Sequence, residues 1–398
     1  MSNVSSRIAQ LAVSQTLAMS QKSRELQEKG HDVINLSVGE PDFDTPEYIK
    51  EAAIQAIKDN YTHYTPVPGY PDLRRAIVDK FKRENNLDYT TEQIVVSSGA
   101  KHSLSNILQV IVEKGEEVIV PAPYWVSYVE MVKLAEGKNV VVPTSIESDF
   151  KVTPEQLKEA ISPKTKAVFL CSPSNPTGSI YTREELKALA DFFASLDQEI
   201  YILSDEIYEH INFTGKHESI AQFSNIKEQV IVINGVSKGY AMTGWRIGYI
   251  AAPEWIAKAC SKLQGQTTSG STAVSQRAAL AALNGGMESI YGMKKAFQRR
   301  RDLVIELLGK IEGMKINKPG GAFYMFPKID SFFGKKHEDG MIENAQDLCM
   351  YLLEKGHVAT VPGDAFGSPG YFRLSYAASD DELKEAIFRI DKALAALK

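Results

Sequence analysis

Apolar residues along this chain gather in short, nearly unbroken runs rather than in one alternating stripe. From about residue 94 such runs stand at Ile94–Val96, Val118–Val120, Val140–Val142, Ala167–Leu170, Ile200–Leu203, Val230–Ile233 and Ile247–Ala251, most of them separated by stretches of helical periodicity. Short continuous runs suit strands buried on both faces, and amphipathic stretches between them supply the covering helices. The pattern predicts a mainly parallel sheet covered on both faces. No helical stretch separates 230–233 from 247–251, so one strand of that pair is expected to run antiparallel. Thr153-Pro-Glu-Gln156, Thr182-Arg-Glu-Glu185 and Ser379-Asp-Asp-Glu382 are capping boxes: the hydroxyl and the Glu or Gln side chain each satisfy a free backbone N–H at a helix start.

The flanks read differently. Residues 1 to 30 predict one helix ending at Gly30, followed by an extended segment from Val33 and a Gly, Pro and Asp-rich loop to Pro46. Thr45-Pro46 reads as a cap and an N1 proline for a helix over Glu47–Asp59. A stiff aromatic loop, Tyr61–Pro71, leads to a helix from about Asp72 to Glu84. Beyond residue 285 the pattern predicts a long helix from Met287 to about Lys310, a helix near 344–355, short strands at Val358–Val361 and Tyr371–Ser375, and a last helix. The expected division is 1–45 as a segment joining a small domain, 46–290 as a large α/β domain, and 291–398 as a small α+β domain.

Composition narrows the function classes. The 398 residues are 43% hydrophobic and 24% charged, with a net charge of −5, which gives no footing for a nucleic-acid partner. Arg299-Arg-Arg301 reads as a solvated helix face. No stretch approaches a membrane span. Cys171, Cys260 and Cys349 are odd in number and far apart, as expected of reduced thiols in a cytoplasmic protein. Seven histidines show no metal-ligand spacing, so no metal is expected.

Ligands of open α/β sheets gather at the carboxyl ends of the strands, and that is where the unusual residues stand. Ile94-Val-Val-Ser-Ser98 is followed by Gly99-Ala-Lys101 at a helix start, a ready anion site. A lysine there costs roughly 0.3–1 kcal/mol against the helix dipole, which suggests a duty beyond helix stability. Trp125 follows the second run, and Asn175 lies in the Pro-rich loop after the fourth. Asp205 and Tyr208 follow the fifth; a buried acid needs a cationic partner. Ser237 and Lys238 follow the sixth, and Arg246 precedes the last. Singly these read as a surface lysine, a core aromatic and a turn. Together they supply what pyridoxal 5′-phosphate needs: an amine for its aldehyde, an anion nest, a flat ring, an amide, and an acid beside a phenol.

Ser172-Pro-Ser-Asn-Pro-Thr-Gly178, Ser204-Asp-Glu-Ile-Tyr208, Ser237-Lys238 and Gly244-Trp-Arg-Ile-Gly248 resemble the motifs of class I aminotransferases, pyridoxal-phosphate enzymes of fold type I. Gly39-Glu-Pro-Asp-Phe-Asp44, Pro123-Tyr-Trp-Val-Ser127 and Phe372-Arg-Leu-Ser375 extend the resemblance nearly end to end. It is nearest to bacterial aspartate aminotransferases of the Ib (gamma) subgroup. The resemblance implies that Lys238 forms the cofactor Schiff base and shuttles the proton of a ping-pong reaction. It gives Asp205 the ring nitrogen, Tyr208 and Asn175 the ring hydroxyl, and Trp125 the ring face. Gly99, Ala100, Lys101, Ser237 and Arg246 would bind phosphate, with Tyr64 contributed by a second subunit of a homodimer. Arg373 would pair with the substrate α-carboxylate, alongside the backbone of Gly39. Gly235 departs from the Ser or Thr that many relatives carry three residues before the lysine.

Lys101 with Thr16 is the pair the subgroup associates with the distal carboxylate, so aspartate with 2-oxoglutarate is the expected substrate pair. Some relatives also use prephenate, often with a basic residue near position 12; here it is Ala12. Broader specificity toward aromatic or neutral amino acids, or a C–S lyase on the same fold, are the alternatives. A nucleotide-binding oxidoreductase is set aside because no Gly-x-Gly-x-x-Gly turn or Walker lysine follows a strand. A DNA-binding regulator on this fold would need a further N-terminal domain, and about thirty residues precede the first motif.

Overall fold

The computed structural model describes residues 4–338 and 340–398. After α1 (Ser6–Ala9), α2 (Gln15–Glu28), β1 (Ile34–Asn35), α3 (Glu47–Lys58) and α4 (Pro71–Lys80), the chain builds one seven-stranded sheet. Its strands are β2 (Ile94–Ser97), β3 (Glu117–Ala122), β4 (Lys138–Pro143), β5 (Thr165–Cys171), β6 (Tyr201–Asp205), β7 (Val230–Gly235) and β8 (Gly248–Ala251), in the order β2-β8-β7-β6-β5-β3-β4. Strand β8 runs antiparallel to both β2 and β7, and the other pairings are parallel. The antiparallel member expected of the last pair is therefore β8.

Alternation along each strand sorts two cores. Ile94, Val96, Val168, Leu170, Val230 and Val232 face one side, against α3, α4, α8 (Arg183–Ala194) and α10 (Ala273–Asn284). Val95, Ala167, Phe169, Ile231 and Ile233 face the other, against α5 (Ala100–Ile111), α6 (Ser127–Leu134) and α9 (Glu254–Thr267). Apolar surface on both faces is what made the strands read as unbroken runs. Most of the remaining elements share a third core, in which Met19, Val33 and Leu36 pack with Phe297, Leu348, Leu352 and Ile390, and a small fourth gathers Ile146, Phe150, Phe326, Val361, Phe366 and Tyr371. There β1 pairs in parallel with Val358–Ala359, and Phe372–Ser375 lies between Val361–Pro362 and Tyr324–Met325.

All three capping boxes form as expected. Elsewhere tertiary contacts override local pattern. The expected first helix is two, because Gln10 donates to the Lys133 carbonyl and Ala12 N–H to Glu130, which hold the intervening segment off the helix axis; its residues 1–3 lie outside the described residues. Thr45 caps nothing: its hydroxyl donates to Ala241 O and accepts from Trp245 Nε1. The helix expected to reach Glu84 stays α-helical to Lys80 and continues as a π turn over Phe81–Asn85. The strand expected at 358–361 is two short strands with different partners. The arginine trio is not a solvated face: Arg300 and Arg301 are buried, Arg300 in a bidentate pair with Asp42 at 2.7 and 2.8 Å and over the Phe43 ring, Arg301 on Asp302 and the Pro319 carbonyl.

Candidate active site

Five strand ends open onto one cavity of about 270 Å³. Ala100 and Lys101 reach it from β2, Trp125 from β3, Asn175 from β5, Asp205 and Tyr208 from β6, and Ser237 and Lys238 from β7. Arg246 enters just before β8, Thr16 and Gly39 come from the N-terminal segment, and Arg373 from the C-terminal one. Gly99 stands beside Ala100 against the Arg246 guanidinium. Of the residues singled out in the sequence, Tyr64 is the one held away: it is 99% exposed. A larger hollow of about 720 Å³, bordered by Lys336, Lys355, Arg389 and Lys392, contains none of these residues.

One end of the cavity is built for an anion. Gly99 has φ +89°, and a Cβ there would lie 2.0 Å from Arg246 Nη2. A Cβ on Gly248 would lie 2.2 Å from the Ala100 nitrogen. Glycine at both positions lets the start of α5, with its unpaired N–H groups, sit flush against the β7–β8 loop. Arg246 has φ +57° and donates to the Thr243 carbonyl at 2.7 Å. Gly235 faces Gly248 across the strand pair, where a Cβ would meet Ile247 O at 2.8 Å. Close approach of the strands accounts for glycine at that position.

The middle holds an amine and an acid. Lys238 Nζ donates to Gly39 O at 2.5 Å. Desolvation brings its pKa down to about 8, opposed by Glu40 and reinforced by Arg373 and Arg246. Asp205 is buried at the end of β6, and burial pushes its pKa up to about 6 against the hydrogen bond from Tyr128. Tyr128 Oη donates to Asp205 Oδ2 at 2.6 Å. The phenol expected beside the acid, Tyr208, instead shares a hydrogen bond with Tyr324 Oη at 2.8 Å.

Two further cations line the cavity. Arg373 is only 2% exposed; Nη1 donates to Asn175 Oδ1 at 2.9 Å and Nη2 to Ser37 O at 2.7 Å, while Nε has no partner among the described residues. Its guanidinium lies over the Tyr324 ring, 4.6 Å from the centroid. Lys101 Nζ lies 4.9 Å from the Trp125 ring centroid. Its pKa is lowered by burial and then by the Arg246 charge. An amine that is in part neutral, an acid in want of a cation, an anion nest and two further cations can together hold a phosphorylated aldehyde and a carboxylated substrate.

Tyr128 and Tyr324 belong to this cavity and were not singled out in the sequence. Tyr128 stands three residues after Trp125, in the first turn of α6, and that closeness to an expected ring-face residue was the available signal. Nothing local marks Tyr324, whose partners are distant in the chain.

The chain matches the family model described as aminotransferase class I and II over residues 31–390. It is 48% identical over 400 residues to a protein of Rickettsia bellii named probable aspartate/prephenate aminotransferase, covering 100% of both chains. It is 48% identical over 388 residues to an aspartate aminotransferase of Bacillus subtilis, covering 97% of each. Among solved structures, an aspartate aminotransferase from Rhizobium meliloti superposes with a TM-score of 0.96 at 42% identity, covering 100% of both chains.

Proposed function

The chain belongs to the class I and II aminotransferase family, and on that footing we propose that it moves the amino group of L-aspartate to 2-oxoglutarate, giving oxaloacetate and L-glutamate, with pyridoxal 5′-phosphate held at Lys238. The observation that carries this reading is the convergence of a desolvated amine, Lys238, and a buried carboxylate, Asp205, on one cavity with an anion nest at its edge. The residues fit the cofactor. Asp205 has a raised pKa that a cationic ring nitrogen would relieve, and glycine at 99 and 248 leaves the helix start free to meet a phosphate.

When bound, pyridoxal 5′-phosphate supplies an electron-withdrawing ring that stabilises the charge left when the substrate Cα loses its proton. Ser237, Arg246 and the N–H groups of Ala100 and Lys101 would bind its phosphate, while the Gly99 N–H, expected to join them, donates to Ser97 O at 2.7 Å. Trp125 would cover a ring face, and Tyr208 and Asn175 would hydrogen-bond its hydroxyl oxygen. Asp205 would keep a proton on the ring nitrogen. Lys238 Nζ, with its pKa near 8, is partly neutral at physiological pH and can take the proton from Cα. Arg373, whose Nε has no partner among the described residues, would bind the α-carboxylate beside the Gly39 backbone. Lys101 and Thr16 would receive the distal carboxylate, whose charge would offset the repulsion between Lys101 and Arg246.

The reading includes a cytoplasmic homodimer. Three free thiols suit a reducing compartment, and Tyr64, bare on one chain, would reach the phosphate of the other. Prephenate is a second acceptor favoured by the name of the Rickettsia relative; against it, position 12 is an alanine. Incubation with aspartate and 2-oxoglutarate should yield oxaloacetate and glutamate, and prephenate in place of 2-oxoglutarate decides the second acceptor. The reading fails if no glutamate forms, or if borohydride fixes the cofactor to a residue other than Lys238.

A further inference from the structure

We propose that Tyr128 is a positioning residue for the ring acid: its phenol holds Asp205 oriented and ionised toward the cofactor's ring nitrogen. The inference rests on the functional reading above and adds a residue to it.

The geometry is specific. Tyr128 Oη donates to Asp205 Oδ2 at 2.6 Å, within the range of a charge-assisted O–H···O bond. The phenol is held on two sides. Its ring stacks on Phe169 with centroids 4.2 Å apart and planes 13° apart, and meets Trp125 edge-on at 5.5 Å. Tyr128 N–H also bonds the Trp125 carbonyl at 2.9 Å. The turn that leads into α6 thus sets both the aromatic expected on the ring face and the donor behind the ring acid.

The side chains that bear most on Asp205 include Tyr128 from α6, Cys171 from β5, Glu206 from its own turn and Lys238 from the β7–β8 loop. The Cys171 thiol is pushed up to about 12 by burial and stays neutral. Glu206 is occupied by Ser204, Ser219 and His217. Lys238 is turned to the Gly39 carbonyl. Among the described residues, Tyr128 is the side chain that donates a hydrogen bond to Asp205; the Ile207 N–H adds a longer one to Oδ1 at 3.3 Å.

A neutral donor suits this place better than a cation. An arginine or lysine would also favour the ionised acid, but it would cancel the charge that a protonated ring nitrogen has to meet. The phenol bonds one lone pair of the carboxylate and leaves the net charge in place. Burial and the Asp205 charge both push the phenol's own pKa up, so it remains a donor.

The full-length apoprotein is titrated with pyridoxal 5′-phosphate and with its 1-deaza analogue, in which C–H replaces the ring nitrogen. Tyr128→Phe is expected to weaken the natural cofactor roughly tenfold, the worth of one charge-assisted hydrogen bond, and the analogue less than about twofold. In an Asp205→Asn background the same change should bring no further loss. Equal weakening of both ligands, no weakening of either, or a further tenfold loss in the Asn background overturns the role. Wild-type protein that binds neither ligand overturns the functional reading instead, so the two failures are distinct.

Discussion

Asp205 is a carboxylate that the folded chain desolvates and only partly compensates. Burial moves its pKa from 3.8 to about 6, a shift of about two units and so ~3 kcal/mol of folding free energy forgone at neutral pH. The folded state therefore binds this proton more tightly than the unfolded one between those values. The group's contribution to apoprotein stability falls as pH rises through about 4 to 6 and stays low above. Asp205→Asn should stabilise the apoprotein at pH 7 by about 1–3 kcal/mol, with the advantage shrinking below pH 6, while cofactor affinity drops. Denaturant unfolding of both apoproteins at pH 5 and pH 7 checks this, and a less stable Asn variant at pH 7 would refute the burial cost. Lys101 poses the opposite problem, a cation repelled by Arg246. Lys101→Ala should lower kcat/KM for aspartate roughly 10- to 100-fold and leave alanine turnover nearly unchanged. Unaltered aspartate kinetics would remove the dicarboxylate assignment and leave the aminotransferase. Both residues were legible because their types are costly where they stand. Tyr128 was not, since a tyrosine on an apolar helix face looks like core until its oxygen is seen against Asp205.

At the scale of elements, the cavity depends on how closely α5 can approach the β7–β8 loop. A Cβ at Gly248 would meet Ala100 N at 2.2 Å and the Gly99 carbonyl carbon at 2.5 Å, so the helix start has to retreat. Gly248→Ala is expected to weaken cofactor binding at least about tenfold and to cost about 1–3 kcal/mol of stability; titration and chemical unfolding measure the two separately. Cofactor affinity within about twofold of wild type would show that the nest does not need this contact. The strands and capped helices were legible because their signals are local: an unbroken apolar run, or a hydroxyl three residues from a glutamate. The misread elements are those settled by distant partners. Thr45 is claimed by Ala241 and Trp245 rather than by its own helix. The first helix breaks where Glu130 and Lys133 capture it. The π turn at Phe81–Asn85 lets Lys80 reach Glu209 Oε1 and Asn85 reach Oε2, and Oε1 also accepts from Asn234, near the end of β7 just before Ser237 and Lys238. No short window of sequence carries that arrangement.

For the whole molecule the unanswered residue is Tyr64. A tyrosine 99% exposed is an unusual use of a large amphipathic side chain, and tyrosine is enriched where one chain meets another. If it completes the phosphate site of a neighbouring subunit, activity must be shared between chains in a way that mixing can reveal. Lys238→Ala protein is expected to be inactive in every site, and Tyr64→Phe protein to be impaired at limiting cofactor. In a hybrid dimer, the site on the Tyr64→Phe chain has its own Lys238 and receives an intact Tyr64 from the other chain. Random re-association makes about half the dimers hybrid, so about a quarter of all sites are native. Cofactor activation at limiting pyridoxal 5′-phosphate should therefore show a high-affinity phase in the mixture that neither variant has alone. Were Tyr64 to serve its own chain, no hybrid site would be native, and the mixture would behave as the sum of its parts. That additive result, with subunit exchange verified by differently tagged chains, would remove Tyr64 from the site.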